Sequence, residues 1–143
     1  MKVRDVLKEK GTQVWTIVEH EPLPKAVRQL VEHNIGALIV LDAGNRIAGI
    51  ISERDIMREC HRNLKGLDTT PVSKIMTRKV IIGSLEDDLD YLMGIMTKNR
   101  VRHIPILDKD EIAGMVSIGD LVKAKLKDSQ YENQQLKEYF YGQ

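Results

Sequence analysis

Apolar and polar residues follow two different periods along the first half of the chain. From residue 23 to residue 31, apolar side chains recur every three or four positions, which predicts a helix. Residues 37–41 form a nearly continuous apolar run, typical of a strand buried on both faces. Residues 46–52 predict the next strand and residues 55–61 the next helix. The pattern therefore predicts a mixed α/β chain.

The second half repeats this order. Residues 72–76 match a short amphipathic turn at residues 3–7, and residues 104–108 match residues 38–42. Such an ordered series of matches indicates an internal duplication, in which each copy reads helix-turn, strand, helix, strand, strand, helix. Neither half, at roughly 60 residues, has much core of its own. We therefore expect the halves to pack on each other about a pseudo-two-fold axis.

The duplication divides the chain into four segments. These are a first repeat (1–62), a polar linker (63–71), a second repeat (72–127) and a C-terminal helical tail (128–143). The tail carries one apolar edge on a polar helix, formed by Tyr131, Leu136, Tyr139 and Phe140. That edge has two interpretations, a solvated helix packed on its own domain or a contact in a dimer.

One motif occurs in both copies: glycine, two apolar residues, serine, two variable residues and aspartate, at residues 49–55 and 114–120. A strand that ends at serine and turns into a helix leaves free amides there, which favour an anion such as phosphate. The aspartate, one turn in, can accept two hydrogen bonds from the vicinal hydroxyls of a ribose. The alternative is that serine is only an N-cap and aspartate only complements the helix dipole. Two copies in matched contexts favour the ligand interpretation.

Composition narrows the class of protein. The chain has 143 residues, 42% of them hydrophobic and 30% charged, with a net charge of +1, so no strong field attracts nucleic acid or an acidic membrane. Its single cysteine, Cys60, excludes an internal disulfide framework and a multi-cysteine zinc site. No apolar run approaches the roughly 20 residues of a membrane span. We expect a cytoplasmic protein that binds neither nucleic acid nor membrane.

The sequence contains no nucleophile elbow, P-loop, Rossmann glycine fingerprint or His-Glu-x-x-His motif. His20, His33 and His61 lack the spacing of metal ligands and are expected on the surface. These observations favour a binding module over an enzyme, with no catalytic residue and no metal site.

Several segments resemble a known family. Residues 71–77 resemble the opening of a cystathionine-β-synthase (CBS) repeat, and residues 100–108 resemble its second strand. Residues 52–55 and 117–123 resemble those of stand-alone bacterial CBS-pair proteins. The resemblance extends from residue 3 to about residue 126. It implies a tandem CBS-domain pair, or Bateman module, of two β-α-β-β-α repeats.

The resemblance implies a function as well as a fold. It implies a regulatory module that binds AMP, ADP, ATP or an NAD-type ligand in clefts between the repeats and senses nucleotide or energy state. Asp55 and Asp120 match the family's ribose-binding acids, and Ser52 and Ser117 match the hydroxyls beside ribose and phosphate. Ligand binding would regulate a partner through a conformational change.

Other residues are carried over from the family in the same way. The strand edge that meets the adenine corresponds to the backbone of Gly36, Ala37, Leu38, His103, Ile104 and Pro105. Arg102 and His103 match positions that often reach phosphates in the family. Thr16, Val80 and Ile81 match the first strands, which usually form a wall of the base pocket. Residues 82–88 lack the Thr-Pro-Asp pattern that the family has there, where Ser84 is the candidate.

Three further positions lie beside the two motifs. Arg54 and Arg58 could grip a phosphate bidentately or could form a solvated helix face, while Gly119 leaves more room beside the second motif. The family usually forms paired discs, so we expect a homodimer. The competing hypothesis is a structural module for dimerisation and partner contact, with no physiological nucleotide.

Overall fold

The structure is a computed structural model that describes the backbone of residues 1–141 and the side chains of residues 1–130. The apolar edge predicted for Tyr131, Leu136, Tyr139 and Phe140 lies outside these described side chains. The chain forms two compact units. Gln13–Ile81 is the continuous unit, and Met1–Thr12 together with the chain from Ile82 onward is the split unit.

The order of elements agrees with the sequence prediction in both halves. A 3₁₀ helix, Leu64–Thr69, occupies most of the segment predicted as a linker. The other elements, in chain order, are α1 (Val3–Lys10), β1 (Thr16–Val18), α2 (Leu23–Glu32), β2 (Ala37–Leu41), β3 (Ile47–Ser52), α3 (Glu53–Arg62), α4 (Val72–Ile75), β4 (Gly83–Ser84), α5 (Leu89–Asn99), β5 (His103–Asp108), β6 (Glu111–Ser117) and α6 (Ile118–Tyr141).

The continuous unit is built on a sheet of order β1-β2-β3. β2 runs parallel to β1 and antiparallel to β3, so it is the central strand. Its first four residues have no exposed surface, which explains the continuous apolar run in the sequence. Helix α2 buries Leu23, Ala26 and Leu30 at helical spacing against this sheet. The predicted helix and buried strand are both confirmed.

The split unit repeats the same topology with strand order β4-β5-β6. β5 is parallel to β4 and antiparallel to β6. Ile104 and Ile106 of the central strand are fully buried, as are Leu92 of α5 and Leu121 of α6. Each unit therefore has a three-stranded sheet, as the duplication predicts, and each has its own buried apolar residues, although the short length of each half predicted little core.

The opening helix of each sequence repeat packs in the unit built mainly from the other repeat. The Val3 amide donates to the Asp87 carbonyl at 3.0 Å, which ties α1 into the split unit. In the continuous unit, the Val72 amide of α4 donates to the Glu21 carbonyl at 2.8 Å. The compact units therefore begin and end at other residues than the sequence repeats.

The placement of Val80 and Ile81 on a first strand is wrong. The strand is β4, Gly83–Ser84, and Val80 and Ile81 precede it. Gly83 pairs with Ile106, where the first sheet pairs Ile17 with Val40. The counterpart of Thr16 is therefore Ile82.

Two residues explain this register. In the first sheet, the Ile39 amide donates to the Trp15 carbonyl at 3.3 Å. The corresponding residue of β5 is Pro105, which has no amide hydrogen to donate. The hydrogen-bonded pairing of β4 with β5 therefore starts one residue later, and β4 is shorter than β1. Gly83 occupies the buried position because a Cβ there would lie 2.8 Å from Ile106 Cδ1. A larger residue at position 83 would require the Ile106 side chain to move.

Among the residues that the structure describes, no helix is both long and apolar enough to cross a membrane.

The glycine that opens each copy of the motif faces the opening helix region of its unit, and the two environments differ. A Cβ at Gly49 would lie 2.6 Å from the Thr77 backbone oxygen, whereas one at Gly114 would meet the Leu7 side chain at 2.9 Å. A side chain can move more easily than a paired backbone. We therefore expect Gly49→Ala to reduce the free energy of unfolding by about 1–3 kcal/mol and Gly114→Ala to cost less. Urea unfolding of both variants tests this order, and a larger loss for Gly114→Ala would contradict it.

Candidate functional site

The first copy of the motif lies where β3 ends and α3 begins. The Ser52 amide donates to Asp55 Oδ2 at 2.9 Å, and the Asp55 amide donates to Ser52 Oγ at 3.3 Å. The serine hydroxyl also donates to Asp55 Oδ2 at 3.1 Å. This reciprocal pair is a capping box, which satisfies two amides that the helix start would otherwise leave unpaired.

The second copy forms the same structure between β6 and α6. The Ser117 amide donates to Asp120 Oδ2 at 2.8 Å, and the Asp120 amide donates to Ser117 Oγ at 3.1 Å. We call the two places the first junction (Ser52 and Asp55) and the second junction (Ser117 and Asp120). Their matched geometry shows that the duplication extends to the hydrogen bonds of the motif.

A third amide at each junction is also paired. The first residue of α3, Glu53, donates to the Gly36 carbonyl at 3.0 Å, and Ile118 of α6 donates to the Arg102 carbonyl at 2.9 Å. Of the four amides that a helix start leaves unpaired, only those of Arg54 and Gly119 have no partner among the described residues. The prediction of several free amides is therefore wrong, because the motif and the neighbouring strand satisfy most of them.

The sheet register brings the predicted strand edges to the junctions. Ala37 pairs with Ser52, and His103 pairs with Ser117. The side chains of Leu38, Ile104 and Pro105 are buried in the core, so only the backbone of these residues could face a ligand.

The arginines predicted to reach phosphates are exposed. Arg54 and Arg58 lie on the first two turns of α3, and Arg102 precedes β5. Within the described part of the chain, none of the three has an ion-pair partner. A Cβ at Gly119 would meet only Ser117 Oγ at 3.6 Å, an ordinary contact, so this glycine leaves open space beside the second junction. His103 is half-buried.

Thr16 is the first residue of β1 and pairs with Ile39 of β2. It lines an open cavity of about 410 Å³ together with Trp15, His33 and residues of α2, and that lining includes neither Ser52 nor Asp55. His33, expected on the surface, is half-buried and stacks on Trp15 with ring centroids 3.5 Å apart.

Ser84 takes part in a local turn. Its hydroxyl accepts the Glu86 amide at 3.2 Å, and its own amide donates to Asp87 Oδ2 at 2.8 Å. These bonds account for the serine without a ligand.

Sequence reasoning missed one side chain at each junction. Lys10, the last residue of α1, donates from Nζ to Asp120 Oδ2 at 2.6 Å and to the Met115 carbonyl at 2.7 Å. At the first junction, Thr77 Oγ1 donates to Asp55 Oδ1 over a longer distance, 3.4 Å. A lysine in the last turn of a helix is explained by the helix dipole alone, so the sequence offers no signal of its partner.

Lys10 changes the acidity of Asp120. Burial raises the pKa of this carboxyl, but the hydrogen bonds from Lys10 and Ser117 and the Lys10 charge outweigh burial and hold the pKa below its usual range. The carboxylate is therefore ionised well into the acidic range. Its Oδ1 has no hydrogen-bond partner among the described residues.

This lowered pKa predicts how Asp120 responds to acid. A carboxyl with a depressed folded-state pKa contributes stability above its unfolded pKa and loses it as the pH falls through the folded value. We expect carbon-detected NMR titration to place the Asp120 pKa below that of an exposed aspartate. Lys10→Met removes the main lowering partner, so the pKa should rise and the pH dependence of the unfolding free energy below about pH 4 should weaken. An unchanged Asp120 pKa in Lys10→Met would contradict the ion pair.

Comparison with known proteins gives the family. The family model for the CBS domain matches residues 3–62 and 72–127. The chain is 36% identical to the mitochondrial CBS domain-containing protein CBSX3 of Arabidopsis thaliana, over 98% of this chain and 72% of that protein. It is 31% identical to the CBS domain-containing protein YhcV of Bacillus subtilis, over 77% of each. The chain therefore belongs to the CBS-domain family, as a tandem pair.

Solved structures have the same fold. A CBS-domain protein of Agrobacterium tumefaciens has a TM-score of 0.84 and 36% identity, covering 87% of this chain and 92% of that one. The CBS domain pair of protein MJ0100, crystallised with 5′-methylthioadenosine and S-adenosyl-L-methionine, has a TM-score of 0.76 and 25% identity. It covers 87% of this chain and 98% of its own. The predicted fold, a tandem CBS-domain pair, is confirmed.

Proposed function

We propose that this chain is a regulatory module that binds an adenine nucleotide (AMP, ADP, ATP or an NAD-type ligand) at its two junctions and senses nucleotide or energy state. One observation carries the proposal. Each junction is a helix start with one amide that has no partner among the described residues, and that amide lies beside the aspartate side chain of the motif. An amide without a partner in the described part of the chain and an aspartate side chain, side by side, suit a ligand that carries both an anion and hydroxyl groups.

The chemistry of each group fits one part of a nucleotide. The carboxylates of Asp55 and Asp120 would accept ribose hydroxyls through Oδ1, because Oδ2 is occupied by the capping amide. The amides of Arg54 and Gly119, at the positive end of a helix dipole, would donate to phosphate. Exposed Arg58 and the other arginines near the junctions would add charge there. The base would lie against the strand backbone at residues 36–38 and 103–105.

The class of ligand is supported by a structural neighbour. The MJ0100 domain pair was crystallised with two adenine-containing ligands. That neighbour supports adenine and ribose as the shared part of the ligand. The choice among AMP, ADP, ATP and an NAD-type ligand is part of the proposal.

A second function has an observation in its favour. The capping box uses the serine and one aspartate oxygen for the fold itself, as the plain N-cap interpretation requires. The alternative is therefore a structural module for dimerisation and partner contact, with no physiological nucleotide. A homodimer is expected in either case and stays a prediction.

Titration calorimetry of the aspartate variants separates these functions. A mononucleotide has about 23 heavy atoms, and at roughly 0.3 kcal/mol per atom its dissociation constant should be near 10 μM. Asp55→Asn and Asp120→Asn can keep the cap through their amide oxygen but present an NH₂ group to the ribose. We expect each to lower affinity at its own junction by about tenfold or more, and the double variant to lose binding.

Asp5→Asn is the matched control. Asp5 also accepts the amide three residues before it, from Lys2 at 2.9 Å, but at the start of α1 and outside both junctions. The Asp5→Asn variant should bind nucleotide with the affinity of the wild type, and melting curves should show that all variants are folded. Absence of heat with AMP, ADP, ATP and NAD at millimolar concentration, or unchanged affinity in the double variant, would reject nucleotide binding at the junctions and favour the structural module.

A further inference from the structure

The two junctions present the same two acceptors to different donors. One acceptor is the aspartate, and the other is the carbonyl of the strand residue after the motif glycine. At the first junction, the Thr77 amide donates to the Ile50 carbonyl at 2.8 Å, and the Thr77 hydroxyl lies 3.4 Å from Asp55 Oδ1. At the second, the Lys10 ammonium donates both to the Met115 carbonyl and to Asp120. Lys10 therefore takes the place that Thr77 has in the other copy.

This exchange changes the charge at one junction only. A threonine hydroxyl is neutral, so the aspartate and its donor carry one negative charge at the first junction. An ammonium cancels that charge at the second junction. The side chains of Lys10 and Asp120 are 37% and 26% exposed, so solvent screens their pair only in part. The Lys10 ammonium has three N–H donors, and two of them have acceptors among the described residues, which leaves the third for a ligand.

The other charges near the junctions do not remove this difference. Arg58 and Lys123 occupy the same position in α3 and α6, so their charge is common to both. Arg54 has no charged counterpart, because the corresponding residue of α6 is Gly119. The Arg54 side chain is exposed and makes no ion pair with Asp55. The residue before it, Glu53, is also exposed, and the negative charge of Glu53 offsets the positive charge of Arg54.

We propose that Lys10 sets the charge selectivity of the second junction, so that this junction takes a ribose ligand with an anionic group, such as a nucleoside phosphate. The first junction has Thr77 in place of the cation, so its preference for an anionic ribose ligand over a neutral one is weaker. This inference rests on the proposed function, since both junctions must bind a ribose ligand. Lys10 is a specificity-determining residue that acts by neutralising Asp120 and by offering its third N–H to the anion.

The experiment compares AMP with adenosine, which share base and ribose and differ in charge. An Asp55→Ala background leaves the second junction to be measured alone, and an Asp120→Ala background leaves the first. In the Asp55→Ala background, Lys10→Met should lower the ratio of AMP affinity to adenosine affinity by about tenfold. Lys10→Arg keeps the charge and should retain most of the ratio.

The reverse exchange provides a second variant if Lys10→Met does not fold. Thr77→Lys in the Asp120→Ala background places an ammonium beside Asp55 and should raise the AMP-to-adenosine ratio at the first junction. Thermal melting checks each variant. A ratio that stays the same in both Lys10→Met and Thr77→Lys, while AMP and adenosine still bind, overturns the role of Lys10 and leaves the proposed function intact. Failure of both probes to bind the wild type at millimolar concentration overturns the proposed function and this inference together.

Discussion

The reciprocal hydrogen bonds between a serine and an aspartate three residues later are the interaction on which the rest of the structure depends. They form at the end of β3 and again at the end of β6, where an antiparallel strand turns directly into a helix. Such a turn exposes four amides, and leaving them unpaired near a buried strand would cost stability. Counting partners among the described residues, the cap and the carbonyl just before the neighbouring strand satisfy all but one of these amides, and the remaining amide is available to a ligand.

The same constraint explains why each junction needs a side chain from outside its own strand and helix. The aspartate is partly buried, and a partly buried carboxylate is stabilised by a donor. Thr77, just after α4, provides it in one unit, and Lys10, at the end of α1, provides it in the other. Because both donors come from the opening helix region of a repeat, the packing of these short helices sets the charge at each junction.

The sequence predicted the elements better than it predicted the contacts between them. The period of α2 and the apolar run of β2 arise from local burial, which periodicity reports directly. The first strand of the second sheet was misplaced, because its register depends on a missing amide hydrogen at Pro105 and a glycine at position 83. The partner of Asp120 was missed since Lys10 lies 110 residues away in the sequence, and no local pattern encodes that pairing.

In the proposed function, the helix starts at both junctions bind the ligand. Backbone NMR of ¹⁵N-labelled protein during an AMP titration tests it most directly. We expect the largest shift changes on the amides of Arg54 and Gly119, the two that have no partner among the described residues. Changes confined to the cavity beside Trp15 and His33, or no change at millimolar AMP, would contradict it.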